Sequence, residues 1–228
     1  MERLVLFDID GTLVESSRVH VRAFSEAFMQ VYRVSASIDM IEHHGMTDPA
    51  IIVEVLRRVG VDEETIQTKL EECMNAMIVS FNRLIEADRV CVLQGVEQLL
   101  EKLQTRHTLL GLVTGNLEPI ARIKLEHAGL LHRFKLGAFG SDASDRAELV
   151  RLAVRRAEDR FGFHHGGRVF LIGDTPRDAE AGEKAGVTTI GVATGIYTQE
   201  HLQNAGADFV FMNLEDTDAF VNIIFARE

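Results

Sequence analysis

Four short apolar runs, each closing on a polar cluster, constrain this chain more than any other feature. Residues 4–7 run into Asp8, 109–113 into Thr114, 136–139 into Gly140-Ser141-Asp142, and 169–172 into Gly173-Asp174. Two further runs follow at 187–192 and 209–212. All are continuous rather than alternating, the pattern of strands buried on both faces of a parallel sheet. Helical spacing lies between the later runs. Residues 118–128 carry Pro119 in a first turn, 145–161 place Leu149, Leu152, Ala153 and Ala157 on one stripe, and 176–185 stop at Gly186. The alternation predicts an α/β fold with a doubly wound, Rossmann-like parallel sheet. Right-handed crossovers put every strand's carboxyl end on one edge, where ligands bind in such sheets.

Residues 15–90 break the pattern. Helical periodicity runs over 18–31, 49–59 and 63–87, and no strand-like run interrupts it. The segment is too long for a loop. It reads as a helical cap inserted after the first strand, with the α/β core formed by 1–14 and 91–228. Hinges are expected over 13–17 and 89–95.

Composition narrows the partners. Thirty-five acidic residues against 24 basic ones give a net charge of −11. A broad cationic face for nucleic acid is therefore not expected. No apolar run reaches the roughly 20 residues of a membrane helix. Two aspartates interrupt the N-terminal run too early for a signal peptide, so neither a membrane nor an export route is expected. Cys73 and Cys91 fit no zinc or redox spacing and read as buried, reduced thiols of a cytoplasmic protein. His164-His165 before Gly166-Gly167 reads as a turn ahead of the fourth strand. No heptad marks a dimer, and monomer and homodimer both stay open.

The polar clusters carry the chemistry. Asp8 and Asp10, in FDIDGTLV, set two carboxylates at a strand end. Their mutual repulsion would be relieved by a hard cation such as Mg2+, and a carboxylate can attack phosphorus. Gly11 and Thr12 would offer backbone amides to a phosphoryl oxygen. An Asp-Gly turn would use the same residues. Thr114, Gly115 and Asn116 could hold a phosphate or cap a helix. Asp174, in GDTPRD with Asp178, could complete a metal site or cap a helix, and Arg146 could neutralise phosphate or face solvent. Four such clusters in order, each at a strand end of one parallel sheet, favour a shared site.

With FDIDGTL, VTGN and GDTPRD in sequence, the chain resembles the haloacid dehalogenase superfamily, in its helical-cap phosphatase subgroup, over essentially its whole length. The resemblance implies an aspartyl-phosphate mechanism. Asp8 would be the nucleophile and Asp10 the general acid, then base. Mg2+ would be held by Asp8, the Asp10 backbone carbonyl and Asp174, with Asp178 supporting. Thr114, Gly115 and Asn116 would bind the transferring phosphoryl group. One motif departs: the family's Lys is missing from GSDASDRAELV, and Arg146 stands as its replacement. Gln94, where relatives often carry Pro, is a second, minor departure.

The second aspartate argues against a haloalkanoate dehalogenase or a phosphonate-cleaving relative, both of which lack it. The only lysine of the insert, Lys69, lies late in it. The expectation is a phosphomonoester hydrolase acting on a small phosphorylated metabolite, with phosphoglycolate the nearest named substrate. A sugar-phosphate mutase of the β-phosphoglucomutase kind is the alternative; His20 suits it. The loop HHGMTDP puts Thr47-Asp48 where such mutases carry an Arg for a second phosphate. His20, His43, His44, Thr47 and Asp48 are the candidate substrate contacts of the cap. A non-catalytic regulator that binds a phosphate ligand is the remaining alternative.

Overall fold

The computed structural model describes residues 2–16, 18–164 and 168–226. Six parallel strands form one sheet in the order β3-β2-β1-β4-β5-β6. They are β1 (Arg3–Phe7), β2 (Leu109–Thr114), β3 (Leu136–Phe139), β4 (Arg168–Gly173), β5 (Thr188–Val192) and β6 (Phe209–Phe211). Each apolar run of the sequence is one of these strands. All six residues of β2 and the last four of β1 and β4 are buried.

Helices α4 (Val96–Gln104), α5 (Glu118–His127), α6 (Arg146–Phe161), α7 (Pro176–Ala185), α8 (Gln199–Asn204) and α9 (Thr217–Phe225) cover the sheet. Local chemistry sets their ends. Asp145 accepts from the Ala147 amide to start α6, and Gly162 ends it at φ +63°. Thr175 and Asp178 close a reciprocal capping box at the start of α7, and Gly186 stops it at φ +71°. The short helices α4, α8 and α9 were not expected from the sequence; α4 and α9 pack on each other within the main apolar core, and α8 lies against β5 and β6.

The order of strands matters more than their number. From β1 the chain moves outward to β2 and β3, then returns to β4 on the other side of β1. A crevice therefore opens at the carboxyl end of β1, between the ends of β2 and β4.

Between β1 and α4 lie α1 (Arg18–Ala27), α2 (Asp48–Arg58) and α3 (Glu63–Ile85). The expected first helix is shorter: after Ala27 it passes into a π turn over Phe28–Tyr32 and ends at Arg33, whose φ is +59°. A separate apolar cluster, including Phe24, Phe28, Ile52, Leu56, Met77 and Phe81, joins these helices. Leu117 and Ile120 at the start of α5 belong to the same cluster, so the insert sits on that helix. The two strands of chain that lead in and out pair with each other. Glu15 donates its amide to the Cys91 carbonyl at 2.9 Å, and Leu93 to that of Leu13 at 3.0 Å.

One reading of the thiols changes. Cys73 is buried as expected, but Cys91 is exposed on the outgoing strand. Ser17, at one expected hinge, lies outside the described residues, as do His165, Gly166 and Gly167 of the expected turn before β4. Among the described residues, no helix is long and apolar enough to cross a membrane.

Candidate active site

A cavity of about 120 Å³ lies over the carboxyl end of β1. Asp8, Asp10, Thr114, Gly115, Asn116, Arg146 and Asp174 line its floor. Residues of the insert form its roof, among them His20, Phe24, His43, His44 and Asp48.

Asp8 follows β1 directly and is 5% exposed. Oxygens of Asp8, Asp174 and Asp178 lie within 4.8 Å of one another. Arg146 is the cation among them. Its Nη2 is 2.8 Å from Asp8 Oδ2 and 2.6 Å from Asp178 Oδ1, and its Nε donates to Asp178 Oδ1 at 2.8 Å. Its Nη1 donates to the Gly45 carbonyl of the insert at 3.3 Å. So Arg146 stands beside Asp8, and not in solvent. Asp178 is held by α7's own cap, accepting from the Thr175 amide at 3.1 Å and hydroxyl at 2.7 Å.

Three buried carboxylates against one guanidinium leave an excess of negative charge. Burial pushes Asp8 up to about 6; Arg146 pulls it down, while Asp178 and Asp10 push it up. Burial, then the charges of Asp8 and Asp178, raise Asp174 well above the usual carboxylate range. This donor set, all oxygen and short of positive charge, fits a hard divalent cation.

Two glycines make room for Asp174. A Cβ on Gly11 would fall 2.3 Å from Asp174 Oδ2, and one on Gly195 would fall 1.9 Å from it. Thr12 Oγ1 donates to Asp174 Oδ1 at 3.2 Å.

The opposite side of the floor is built differently. Asp10 turns its carboxylate toward α5. Lys124 Nζ donates to its Oδ1 at 2.8 Å and its Oδ2 at 2.6 Å, and Asn116 Nδ2 donates to Oδ2 at 2.7 Å. Burial alone would raise Asp10, but Lys124 foremost, with Asn116, holds it below the usual range. Thr114, fully buried, accepts from Asn116 Nδ2 at 2.8 Å.

The expectation for Gly11 and Thr12 needs correction. The Gly11 amide donates to the Val14 carbonyl at 2.8 Å and the Thr12 amide to that of Ile9 at 3.3 Å. Both amides are spent on closing the loop, and neither residue lines the cavity. The positive φ of Gly11, +78°, serves that turn.

The cap candidates separate as well. His20 and Asp48 are brought together: His20 Nε2 is 3.3 Å from Asp48 Oδ1. Asp48 also seats the insert on the core. Its amide donates to the Gly115 carbonyl at 2.8 Å, and its Oδ2 accepts from the Leu117 amide at 2.8 Å. A Cβ on Gly115 would lie 2.1 Å from the Met46 carbonyl, so glycine permits this approach. His43 lines the cavity with Nδ1 against the carbonyls of Ile38 and Ile41, and it stacks on His44 at 4.4 Å. Burial, then His43, lowers His44 below the usual histidine range. Thr47 does not reach the cavity; it is buried as the N-cap of α2.

Lys124 escaped the sequence reading. The available signal is its place beside Ile120, Ala121 and Leu125 on the buried stripe of α5, where a lysine needs a partner.

Comparison with known proteins follows the same lines. Residues 5–192 match the model of the haloacid dehalogenase-like hydrolases. Pyrophosphatase PpaX of Oceanobacillus iheyensis is 24% identical over 98% of this chain and 99% of its own. The phosphoglycolate phosphatase of Pseudomonas putida is 24% identical over 86% of this chain and 71% of its own. A hydrolase from Pseudomonas syringae superposes with a TM-score of 0.74 at 23% identity, over 98% of this chain and 99% of that one. A Bacteroides vulgatus structure assigned as a beta-phosphoglucomutase does so at 0.71 and 23%, over 97% and 88%. At such identities the two structures speak for the fold alone. The family model spans most of the chain, and the acid cluster sits at the sheet's switch point: this chain belongs to the haloacid dehalogenase-like hydrolases.

Proposed function

We propose that this chain is a Mg2+-dependent phosphomonoester hydrolase that works through an aspartyl-phosphate on a small phosphorylated metabolite. The observation that carries this is the cluster of Asp8, Asp174 and Asp178 around Arg146 at the carboxyl end of β1. Curated relatives named as a pyrophosphatase and a phosphoglycolate phosphatase support it.

In this reading an Asp8 oxygen attacks phosphorus, and the bond from phosphorus to the leaving oxygen breaks. Asp10 passes a proton to that oxygen as the bond breaks, and an alcohol is released. Water then attacks the aspartyl-phosphate, Asp10 takes its proton, and inorganic phosphate leaves with Asp8 regenerated. Arg146 orients Asp8 and offsets charge on the phosphoryl oxygens. Thr114 and the amides beside it receive the phosphoryl group. Mg2+, held by Asp8, the Asp10 carbonyl and Asp174 with Asp178 behind them, would neutralise charge that builds on those oxygens.

Residues 15–90 act as a cap over the core of 1–14 and 91–228. The cavity volume of about 120 Å³ admits only a small leaving group beside the phosphate. The roof favours hydrolysis over a mutase. Among the described residues that line the cavity, the cap contributes the buried carboxylate of Asp48 and no Lys or Arg, so a second phosphate would meet no cation from them. His43 and His44 are the cap's polar contacts for the leaving group, and phosphoglycolate is the first substrate to try.

The test is phosphate release from phosphoglycolate, pyrophosphate, sugar phosphates and nucleoside monophosphates, with Mg2+ and with EDTA. Mg2+-dependent release from one or more is expected. Silence across the panel from a folded sample, with isomerisation of β-glucose 1-phosphate, would replace hydrolase with mutase. Silence in both, with phosphate still bound, would leave a non-catalytic regulator.

A further inference from the structure

Lys124 is buried at the centre of the molecule, 1% exposed, and the mechanism above does not use it. A buried ammonium persists only where its three N–H groups are taken. Here they are. Two meet the oxygens of Asp10 at 2.6–2.8 Å and Asn116 Oδ1 at 2.7 Å, and His20 Nδ1 lies at 3.1 Å. An ammonium has no lone pair, so His20 must accept through Nδ1. Its hydrogen then sits on Nε2, facing Asp48. The Phe81 ring of the insert, 5.6 Å from Nζ, closes the remaining side.

Stability alone does not account for this pair. Aliphatic side chains of similar volume commonly replace a buried ion pair at little or no cost in stability. Ile120, Ala121 and Leu125 already make α5's inward stripe apolar. Asp10, by contrast, gains a fixed orientation: Lys124 grips both its oxygens and Asn116 one of them. A carboxylate that must meet a leaving oxygen loses rate steeply when it is misplaced by an ångström.

We propose that Lys124 is a positioning residue for Asp10: it fixes the carboxylate that serves the leaving oxygen, and it acts on the reaction only through that carboxylate. This rests on the phosphatase reading. It requires that Lys124 matter most where the leaving group needs a proton.

The experiment compares kcat/KM of the full chain with Mg2+ on two esters. One is the best alkyl phosphate from the panel, whose alkoxide needs a proton. The other is p-nitrophenyl phosphate, whose phenolate leaves without one. For Lys124→Met, kcat/KM for the alkyl ester should fall about 100-fold. That for the nitrophenyl ester should stay within about 5-fold, which also reports a folded site. In an Asp10→Asn background, adding Lys124→Met should cost no further activity, because the group it positions is gone. Lys124→Arg keeps the charge but displaces it, and should show the same ester selectivity more weakly. If Lys124→Met does not fold, Lys124→Arg alone carries the comparison.

Equal losses on both esters, losses that multiply with Asp10→Asn, or wild-type values on both esters would each overturn the proposal. Wild-type protein without Mg2+-dependent turnover would remove the phosphatase reading and this proposal with it. Active wild type with an indifferent Lys124 would remove the proposal alone.

Discussion

The two sides of the cavity floor solve the same problem in opposite ways. On the Arg146 side, three buried carboxylates share one guanidinium. On the Lys124 side, one ammonium meets one carboxylate, with an amide and an imidazole completing its shell. The first is short of positive charge and fits a further cation. The second is balanced and needs nothing from outside. The comparison teaches that charge excess, not burial or acid content alone, separates a site that takes a metal from one that orients a side chain. Asp8 and Asp174, buried among other carboxylates, are raised, while Asp10, half-buried and paired with Lys124, is lowered.

The largest expected effect removes the acid that the Arg146 side serves. Asp8→Asn should lower kcat by at least about 10⁴-fold in a phosphate-release assay, with folding retained. Full activity in that variant would end its role as nucleophile.

Breaking the charge balance of that side comes next. Arg146→Met leaves Asp8 and Asp178 without their partner, and should cost about 3 kcal/mol in urea unfolding with EDTA present. Mg2+ should return part of that loss. Arg146→Lys should lose less, since one point charge remains. Equal stability of wild type and Arg146→Met in EDTA would show that the three carboxylates are not crowded as described.

The same excess predicts a pH-dependent response to metal. Asp8 and Asp174 hold protons more tightly in the fold than in the unfolded chain. For Asp8, stability of the metal-free protein is present below about pH 4 and lost as pH rises through about 6. Mg2+ competes with those protons, so its stabilising increment should grow over that window. At a concentration a hundred times Kd it should reach about 2.7 kcal/mol. Thermal melts with Mg2+ or EDTA at pH 5 and pH 7.5 measure it. A larger increment at pH 5 would contradict the raised carboxylates.

The smallest effect concerns the seat of the insert. Asp48→Ala strips the acceptor from the Leu117 amide and the partner from His20. It should cost about 1–2 kcal/mol in stability, and raise KM more than it lowers kcat. An unchanged KM would show that Asp48 does not set how the insert meets the core.

Much of this was legible in the chain. The six apolar runs became the six strands: continuous apolar residues suit strands covered on both faces, as in β1, β2 and β4, while β6 at the sheet edge stays partly exposed. Helical spacing placed α6 and α7 within a residue, and Gly186 marked the end of α7. Arg146 was legible from its place after the third run. The short helices α4, α8 and α9 were not, although Thr198 and Asp216 cap α8 and α9: helices of nine residues or fewer carry too few turns for an apolar stripe to stand out. Gly11 and Thr12 were misread because a turn decides where its amides point, and composition does not.

The sequence by itself determined the parallel sheet, the helical insert and the acids at strand ends, because periodicity, caps and runs act between near neighbours. Only the tertiary structure decided which charges meet. Lys124 lies 114 residues from Asp10, and Arg146 lies 32 from Asp178. Coulomb energy depends on distance in space and on the dielectric between the groups, and neither is written in chain order.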